Sequence, residues 1–243
     1  MARAGEFAQL RCSRSNVPLL RRPFSVAWSD GDACSFVFDV VGAGTAALAA
    51  LRPGDTIDVL GPLGNGFTPA APGSALCVAG GVGCAPFPLL VRDLAAAGVE
   101  DIVVLNGAAS ASRLYPAERF DRIGASVRVF EATDDGSRGH HGRVTELLTD
   151  ALHESPPAVY ACGPNVMLGA VARIVRAMPG VEVAEVSLEA PMGCGFGTCL
   201  GCAVPVGSSA APAWALCCSD GPVFRCDDVD WDTLHRLPEA HVA

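Results

Sequence analysis

Residues 189–220 read EAPMGCGFGTCLGCAVPVGSSAAPAWALCCSD, and they place Cys194, Cys199 and Cys202 in the spacing C-x4-C-x2-C. Three thiols within nine residues, separated mainly by glycine, indicate a loop folded around an inorganic centre. Glycine permits φ > 0 and lets backbone N–H groups approach sulfur, where they stabilise negative charge. The spacing is typical of plant-type [2Fe–2S] sites, in which the fourth cysteine lies further along the chain. The stretch therefore predicts an iron–sulfur centre.

Two neighbouring cysteines, Cys217 and Cys218, are candidates for the fourth ligand. Successive residues of an extended segment point to opposite faces, so only one of the two can face the cluster. We predict Cys218, because it begins the turn-like sequence Cys-Ser-Asp-Gly-Pro, and we expect Cys217 to be a core thiol. A structural zinc site and a disulfide knot are the alternatives. Zinc sites more often use paired C-x2-C knuckles, and only one such pair is present here.

The composition describes a protein with a large core and an acidic surface. The 243 residues are 50% hydrophobic and 18% charged, with a net charge of −9. That charge argues against nucleic acid or an anionic membrane surface as a partner. Neither a signal-like N-terminus nor a run of eighteen apolar residues is present, so we expect neither secretion nor a membrane span. Eleven cysteines, an odd number, indicate a reducing compartment, and a cytoplasmic location is predicted.

The first seventy residues predict short β-strands at 6–12, 24–28, 35–41 and 56–60, which pack most simply as a small antiparallel barrel. The loop Arg-Arg-Pro-Phe-Ser at 21–25 combines two guanidinium groups with a fixed proline and a hydroxyl, which suits a pyrophosphate and a flat ring. Val-Gly-Ala-Gly-Thr at 41–45 precedes a predicted helix at 46–51 and offers N–H groups to phosphate. Both motifs are also common as plain turns and caps.

Beyond residue 75 the pattern changes to strands alternating with helices, which predicts a parallel α/β sheet. Strands are predicted at 75–79, 102–105, 125–132, 158–161 and 181–188. Helices are predicted from the first turn at Pro86 to Ala97 and at 143–154 and 165–178. Glycine turns at 80–86 and 160–164 lie at carboxyl ends of strands, where such sheets bind nucleotides.

The nucleotide turns do not follow the G-x-G-x-x-G fingerprint, and no acidic residue ends the second strand. Arg113, with Ser110 or Ser112, is a candidate for a 2′-phosphate, with a solvated loop as the alternative. Cys162 either faces a nicotinamide or simply packs. The turn at 133–137 is expected to border the cleft, and the acidic stretch at 227–232, which includes Trp231, is expected on the surface.

Several motifs in this order resemble one family. These are the arginine motif within 18–25, GPLGNGF at 61–67, the turn at 133–137, MGCGFGTCLGC at 192–202 and CSDGPVF at 218–224. Together they resemble the ferredoxin–NADP reductase superfamily and, within it, the electron-transfer subunits of NAD-dependent (class 1B) dihydroorotate dehydrogenases. The resemblance covers essentially the whole chain. It implies a β-barrel plus α/β fold, with an FAD-binding barrel at 1–70, an NAD-binding domain at 71–188 and a [2Fe–2S] module at 189–243.

The resemblance also implies residue roles, with no catalytic residue in this chain. FAD would be held by Arg22, Pro23, Phe24, Ser25, Val37, Phe38, Asp39, Gly44 and Thr45. The nicotinamide dinucleotide would be held by Gly80, Gly81, Gly83, Cys162, Gly163 and Pro164. The cluster would be held by Cys194, Cys199, Cys202 and Cys218. Two departures stand out: Asp39 lies where the family typically has a basic residue, and the chain starts inside the third strand of the family's barrel.

The function implied is electron transfer in pyrimidine biosynthesis. Electrons from the FMN of a separate dihydroorotate dehydrogenase catalytic subunit would pass through [2Fe–2S] and FAD to NAD+, in a heterotetramer with two copies of each subunit. One alternative is the flavin/iron–sulfur subunit of an NAD(P)H–ferredoxin oxidoreductase or sulfhydrogenase-like complex. The other is a zinc-stabilised binding module without enzymatic activity.

Overall fold

A computed structural model of the chain describes residues 1–13, 15, 17–69, 73–121, 123, 126–154, 158–208 and 210–237. The N-terminal part contains β1 (Phe7–Leu10), β2 (Arg22–Ser29), β3 (Cys34–Phe36), α1 (Ala43–Ala49) and β4 (Val59–Leu63). The middle part contains β5 (Ser74–Gly80), α2 (Phe87–Ala96), β6 (Asp101–Ala108), α3 (Glu118–Asp121), β7 (Val127–Thr133), β8 (His140–His141), α4 (Val144–Glu154), β9 (Ala158–Cys162), α5 (Asn165–Ala177) and β10 (Ala184–Ser187). The last part contains β11 (Ala203–Ser208), β12 (Ala211–Leu216), β13 (Val223–Arg225) and α6 (Trp231–Leu234).

The N-terminal strands form a four-stranded antiparallel sheet in the order β3-β2-β1-β4. Side chains alternate across β1, as the period of a strand requires. Ala8 and Leu10 pack with Leu48 of α1 in a small core of their own. Phe7, on the opposite face, belongs to the main core that also contains the buried cysteines of the C-terminal segment. One face of strand β1 therefore packs towards α1, and its other face packs towards the cysteine module.

Helix α1 begins three residues before its predicted start. The Thr45 hydroxyl accepts hydrogen bonds from the backbone N–H groups of Val41 at 2.9 Å and Gly42 at 3.1 Å, and it donates to the Gly42 carbonyl. These bonds close the first turn of the helix around Gly42. Thr45, one of the residues predicted to hold FAD, thus uses its hydroxyl to satisfy the end of its own helix.

The second sheet has seven strands in the order β13-β10-β9-β5-β6-β7-β8, all parallel to their neighbours except β13. Its central strands are buried on both faces, and β9 is buried along its whole length, which is usual where helices cover a parallel sheet. The predicted α/β fold is confirmed, and its strands and helices lie within a few residues of their predicted positions. Ala125, the predicted start of one strand, lies outside the described residues.

The nucleotide turns meet where the strand order reverses. From β5 the chain proceeds to β6, β7 and β8 on one side, and it then returns to β9 on the other. The carboxyl ends of β5 and β9 are paired, with Ala79 opposite Cys162. A crevice at such a reversal is the usual ligand site of an open α/β sheet.

The C-terminal segment forms the hairpin β11–β12 and then returns to the large sheet as β13. Trp231 was expected on the surface, but it is buried, and its indole Nε1 donates to the Cys226 carbonyl at 2.9 Å. Its large apolar ring outweighs the acidic neighbours that suggested exposure. The domain boundaries remain predictions. The first boundary falls within 70–72, outside the described residues. The segment after the second boundary contributes β13 to the seven-stranded sheet, which belongs to the preceding predicted domain.

Across the described part of the chain, none of the helices has both the length and the apolar character needed to cross a membrane.

Candidate functional site

A cleft of about 1110 Å³ separates the N-terminal sheet from the carboxyl ends of β5 and β9. Pockets for one small ligand usually enclose about 300–1,000 Å³, so this cleft has room for more than one extended group. Both halves of the molecule line it. All of the residues predicted to hold FAD or the dinucleotide lie on its walls except Gly44. Gly44 lies directly behind the wall, where a Cβ would be 3.3 Å from the Arg22 Nε.

The wall of the cleft on the side of the N-terminal sheet is formed by β2 and by the segment that follows β3. Arg22 reaches the cleft, and its guanidinium donates to the Leu20 carbonyl at 3.0 Å. Arg21 instead turns away to Asp58, with an Nη2–Oδ2 distance of 2.7 Å. The two arginines of the motif therefore point in different directions, as successive residues of an extended segment do. Phe24 and Phe38 contact each other, with ring centroids 5.2 Å apart.

Asp39 and Arg113 form an ion pair between the two walls, with Oδ2 and Nη1 3.1 Å apart. Asp39 follows β3, and Arg113 follows β6 in the one-turn helix at Ala111–Arg113. Both side chains line the cleft and are about half exposed. The arginine that the sequence suggested for a 2′-phosphate is thus neutralised by a carboxylate from the other half of the molecule.

The wall on the dinucleotide side requires glycine. A Cβ on Gly83 would lie 2.6 Å from the carbonyl carbon of Cys162 and 2.7 Å from the Gly163 Cα. The turn after β5 therefore rests directly on the turn after β9. On Gly80, a Cβ would collide with the Met167 sulfur, at 2.6 Å. Because Gly80 and Gly83 carry no side chain, the two turns can approach closely and their backbone remains accessible to a ligand in the cleft.

Cys162 lies at the base of this wall as a protonated thiol. Burial raises its pKa to about 12, although a hydrogen bond with Ser187 opposes the shift. A thiolate nucleophile needs a depressed pKa, so this environment does not favour nucleophilic chemistry. Cys162 lines the cleft as a buried, neutral thiol.

The four predicted cluster cysteines are arranged as two pairs. The sulfurs of Cys202 and Cys218 are 3.2 Å apart, and the Gly197 N–H donates to the Cys218 sulfur at 3.1 Å. In the other pair, the Cys199 N–H donates to the Cys194 sulfur at 3.4 Å, and the Cys199 side chain also hydrogen-bonds Cys194. The structure therefore brings together thiols that are up to twenty-four residues apart in the sequence.

The surroundings favour negative charge on the Cys194 sulfur and disfavour it on the Cys218 sulfur. The N–H of Phe196 first, and then that of Cys199, lowers the pKa of Cys194 to about 6. Burial, followed by the neighbouring Cys202, raises the pKa of Cys218 to about 12. Since the thiolate is the metal-binding form, metal binding would displace the proton that this second pair shares.

Cys217 points away from the other thiols. Its sulfur donates to the Leu188 carbonyl at 3.5 Å, and the residue is fully buried. Burial raises its pKa far above the ordinary range. Of the two adjacent cysteines, it is Cys218 that lies beside Cys202.

This donor set fits a dinuclear centre. The four thiols lie in two pairs, Cys194 with Cys199 and Cys202 with Cys218. A [2Fe–2S] cluster takes its four cysteines two to each iron, which matches two pairs of sulfurs with N–H groups directed at them. Cys194, Cys199, Cys202 and Cys218 would hold the cluster.

The cysteine loop is held in an uncommon backbone conformation. Gly195 and Gly197 both have φ of +85°, and Leu200 has φ of +59°. The left-handed region costs a non-glycine residue roughly 1–2 kcal/mol. Leu200 also exposes 64% of its surface, and Phe196 exposes 57%. The loop therefore presents two large apolar side chains beside Cys199, which is itself exposed.

Sequence reasoning missed several residues of the site. Met192, Ser187 and Glu189 line the cleft, and so do Phe7 and Arg143. Ser187 ends β10, and Glu189 and Met192 lie between β10 and the cluster cysteines, so their position next to that motif was a usable signal. Phe7 and Arg143 reach the cleft only through tertiary packing.

Gln9 was also missed. It is fully buried, and neither Nε2 nor Oε1 has a hydrogen-bond partner among the described residues. Leaving a buried polar group unpaired costs roughly 1–3 kcal/mol. Its side chain lies against Gly195 in the cysteine loop. A glutamine in a short strand near the start of the chain would ordinarily be assigned to the solvent-facing side of the sheet.

Two family models match this chain. Residues 189–230 match the iron–sulfur cluster binding domain of dihydroorotate dehydrogenase B. Residues 77–173 match the oxidoreductase NAD-binding domain. The first match spans the four paired cysteines, and the second begins in β5 and ends within α5.

Similar proteins extend the match to nearly the whole chain. The dihydroorotate dehydrogenase B (NAD(+)) electron transfer subunit of Bacillus caldolyticus is 42% identical over 234 residues, which cover 94% of this chain and 87% of that protein. The protein of the same name from Desulforamulus reducens is 39% identical over 238 residues, covering 96% and 88%. The one from Listeria monocytogenes is 40% identical over 230 residues, covering 93% and 86%.

Solved structures share the fold. An NADH-dependent reduced ferredoxin-NADP oxidoreductase, described in work on flavin-based electron bifurcation, superposes with a TM-score of 0.80. It is 31% identical, and the match covers 96% of this chain and 82% of that one. A cytochrome P450 reductase from Amycolatopsis is 22% identical with a TM-score of 0.62, covering 73% and 58%, and it shows similarity of fold alone.

Proposed function

This chain belongs to the family of dihydroorotate dehydrogenase B electron transfer subunits, and from that membership we propose that it carries electrons from a separate catalytic subunit to NAD+. It is an oxidoreductase subunit of pyrimidine biosynthesis, with an iron–sulfur cluster, FAD and a nicotinamide dinucleotide as its redox groups. The donor is the FMN of the catalytic subunit, and the assembly contains two copies of each chain.

The observation that carries the proposal is the short distance between the cleft and the thiols. Met192 lines the cleft, and Cys194 is only two residues further along the chain. Two residues span at most about 7 Å between Cα atoms. A cluster on these cysteines and a ring in the cleft would therefore be close neighbours, as a relay of electrons requires.

Each cofactor supplies a different part of the redox chemistry. A cluster carries single electrons, a nicotinamide takes a pair, and a flavin can exchange with both. The protein binds and orients these groups. Arg22 supplies charge for a pyrophosphate, and Pro23, Phe24 and Ser25 form the surface for a flat ring. The turns at Gly80–Gly83 and Cys162–Pro164 leave their backbones open to the dinucleotide.

No residue of this chain is proposed to act as an acid, a base or a nucleophile. Cys162, the thiol at the base of the cleft, is held protonated by burial. Oxidation of the dihydroorotate carbons belongs to the catalytic subunit. Residues of this chain position redox groups and exclude water from between them.

The docking face for the catalytic subunit is proposed at the cysteine loop. Phe196 and Leu200 are exposed on either side of Cys199. Apolar side chains of this size, presented by a backbone that is costly to hold, are typical of an interface and unusual on a free surface. A partner seated there would cover the cluster and bring its own redox group near.

A cytoplasmic location is part of the proposal, and it is supported by the thiols. All eleven cysteines are free, and five of them lie outside the cysteine module. Scattered free thiols of this kind persist in reducing compartments.

One alternative has a specific observation in its favour. The ferredoxin-NADP oxidoreductase structure matches 96% of this chain, so a subunit of such a complex is a second candidate. Its identity of 31% is lower than the 42% shared with the Bacillus caldolyticus subunit. Identifying the catalytic partner that co-purifies with this chain would separate the two.

Replacing one cluster cysteine tests the proposed order of electron transfer. In Cys199→Ser, transfer from dihydroorotate to NAD+ in the assembled enzyme should fall by more than the roughly 10–100-fold that changes outside the ligands cause. Reduction of a dye by NADH through FAD should remain near the wild-type rate. The measurements are the two rates, together with the iron and flavin content of the purified protein.

Cys34→Ser is the matched control, because Cys34 is exposed on β3 and contacts neither the cleft nor the module. It should keep both activities. Loss of dye reduction in Cys199→Ser while FAD is still bound would contradict the proposed order. So would unchanged transfer to NAD+ in a variant that has lost its iron.

A further inference from the structure

We infer that Gln9 is a positioning residue for the iron–sulfur centre, and that its side-chain amide donates a hydrogen bond to a sulfur in the Cys194 loop. The inference rests on the proposed function, since it requires a cluster on the cysteine module. It adds a polar group from the N-terminal sheet to a site whose ligands all come from the C-terminal segment.

The first argument is position. Gln9 lies on β1, two residues after Phe7, so both side chains leave the same face of the strand. Phe7 packs in the core that contains Cys202, Cys217 and Cys218. That face of β1 is therefore turned towards the cysteine module.

The second argument is contact with the loop itself. Gly195 directly follows Cys194 and has φ of +85°. A Cβ on Gly195 would lie 2.7 Å from both Cγ and Nε2 of Gln9. The loop backbone therefore rests on the glutamine amide, and there is no space for any side chain at position 195.

The third argument is the missing partner. Gln9 is 0% exposed, and both polar atoms of its amide lack a hydrogen bond within the described residues. Buried polar groups in native proteins nearly always have a partner, so one that lacks it points to a bound group. The amide does not line the cleft, although Phe7 beside it does. A flavin in the cleft is therefore not the group it faces.

Sulfur at the cysteine loop is the acceptor that remains. The amide carries two N–H donors, and N–H donors near cluster sulfurs stabilise added negative charge. Reduction adds one electron to the cluster, so a donor at this position favours the reduced form and raises the reduction potential. Gln9 would also set the distance between the cysteine loop and β1.

The test is the cluster's reduction potential in the anaerobically purified full-length protein, followed by electron paramagnetic resonance. Gln9→Met keeps the length and volume of the side chain and removes the donor. We expect the equilibrium for reduction to shift about tenfold towards the oxidised cluster, which is about 59 mV for a one-electron couple. A potential equal to that of the wild type, with the cluster intact, overturns the inference.

Leu10→Met is the matched control on the other face of β1, where Leu10 packs in the small core with Leu48. It places the same new side chain on the same strand and should leave the potential unchanged. An equal shift in this control would assign the effect to general loosening of β1 and would overturn the role of the amide.

A second measurement covers the case in which Gln9→Met does not retain iron. After iron is removed from both proteins by chelation, thermal unfolding compares the variant with the wild type. The inference predicts a higher midpoint for Gln9→Met, because an apolar side chain replaces a buried amide that has no partner without the cluster. A lower midpoint would show that the amide serves the protein fold alone.

These outcomes are distinguishable from failure of the proposed function. If the wild type purified anaerobically contains no iron, the proposed function fails and the inference fails with it. If the wild type contains a cluster and only the Gln9 results are negative, the proposed function stands.

Discussion

Asp39 and Arg113 illustrate how one residue can alter the specificity of a shared site. Their ion pair joins the two walls of the cleft at 3.1 Å, and both side chains are about half exposed. In dinucleotide-binding sheets an arginine near the end of the second strand accommodates a 2′-phosphate. Here the carboxylate from the other half of the molecule already occupies that arginine.

Asp39→Asn should therefore increase the preference for NADP(H) over NAD(H). Removing the carboxylate frees the Arg113 guanidinium, and an exposed ion pair is worth at most about 1 kcal/mol, so we expect an increase of about fivefold in relative affinity. The measurement is the dissociation constant of each reduced dinucleotide, determined by titration calorimetry, which does not rely on a flavin signal.

Asp101→Asn is the control for this prediction. Asp101 pairs with Arg128 at 2.9 Å at the opposite end of β6, and both are similarly exposed. The loss of that pair should not alter the preference. A preference that is unchanged in Asp39→Asn would mean that Arg113 does not meet the 2′ position.

At the scale of single residues, local sequence rules select Cys218 as a candidate ligand but do not point to Gln9. Cysteine spacing and the turn at Cys218 were enough to select one of two adjacent thiols, because alternation along an extended segment is a local rule. Gln9 could not be predicted in this way. A polar residue in a short strand is ordinarily assigned to solvent, and only the loop that covers it from far along the chain shows otherwise.

At the scale of elements, the site depends on how closely two turns approach. The turn after β5 and the turn after β9 touch through backbone atoms at Gly83 and Cys162. The register between the strands, with Ala79 opposite Cys162, fixes this contact. A side chain at the contact would have to push the strands apart.

Gly83→Ala tests this contact. Its Cβ would overlap the Cys162 carbonyl group, so we expect the free energy of unfolding to fall by roughly 1–3 kcal/mol, as for other overpacked sites. Affinity for NADH should fall by at least about tenfold, because about 1.4 kcal/mol corresponds to that factor. The cluster absorbance should remain, since the cysteine module does not use this turn.

Gly54→Ala is the comparison, because Gly54 has φ of +97° and nothing within 4 Å of its Cβ position. Alanine there should cost only the roughly 1–2 kcal/mol of a left-handed backbone and leave NADH affinity intact. Equal NADH affinity in Gly83→Ala and the wild type would show that the turn tolerates separation.

The sequence predicted long, periodic elements and missed those set by local capping or by distant packing. The helices α2, α4 and α5 and the strands between them were expected, since hydrophobic periodicity specifies them. Helix α1 starts earlier than predicted because Thr45 bonds back to Gly42. Helix α6 was read as an acidic surface segment, whereas Trp231 anchors it in the core.

At the scale of the whole molecule, the cysteine loop is the proposed docking face for the catalytic subunit. Phe196 and Leu200 hold apolar surface in solvent beside the exposed Cys199. Leu200 does so from a left-handed backbone conformation, with φ of +59°. The backbone conformation of the loop is thus already formed before a partner binds, which lowers the entropy cost of binding.

Leu200→Asn should weaken association with the catalytic subunit about tenfold, the loss expected for truncating one central apolar side chain. Asparagine tolerates the left-handed conformation, so the loop and its cluster absorbance should be preserved. Sedimentation or calorimetric titration of the two subunits gives the affinity. Leu19→Asn, at a site that is 75% exposed in the loop before β2, is the control and should bind as the wild type does. Wild-type affinity in Leu200→Asn would exclude this face.

The pairing of β13 with β10 has a consequence for how such proteins acquire or lose a redox centre. Ser187 lies opposite Val223 in an antiparallel register, so everything from Leu188 to Pro222 emerges from and returns to one point on the sheet. In topology the metal-binding segment is a long hairpin loop. Gain or loss of such a loop would leave the order of the other strands in the large sheet unchanged.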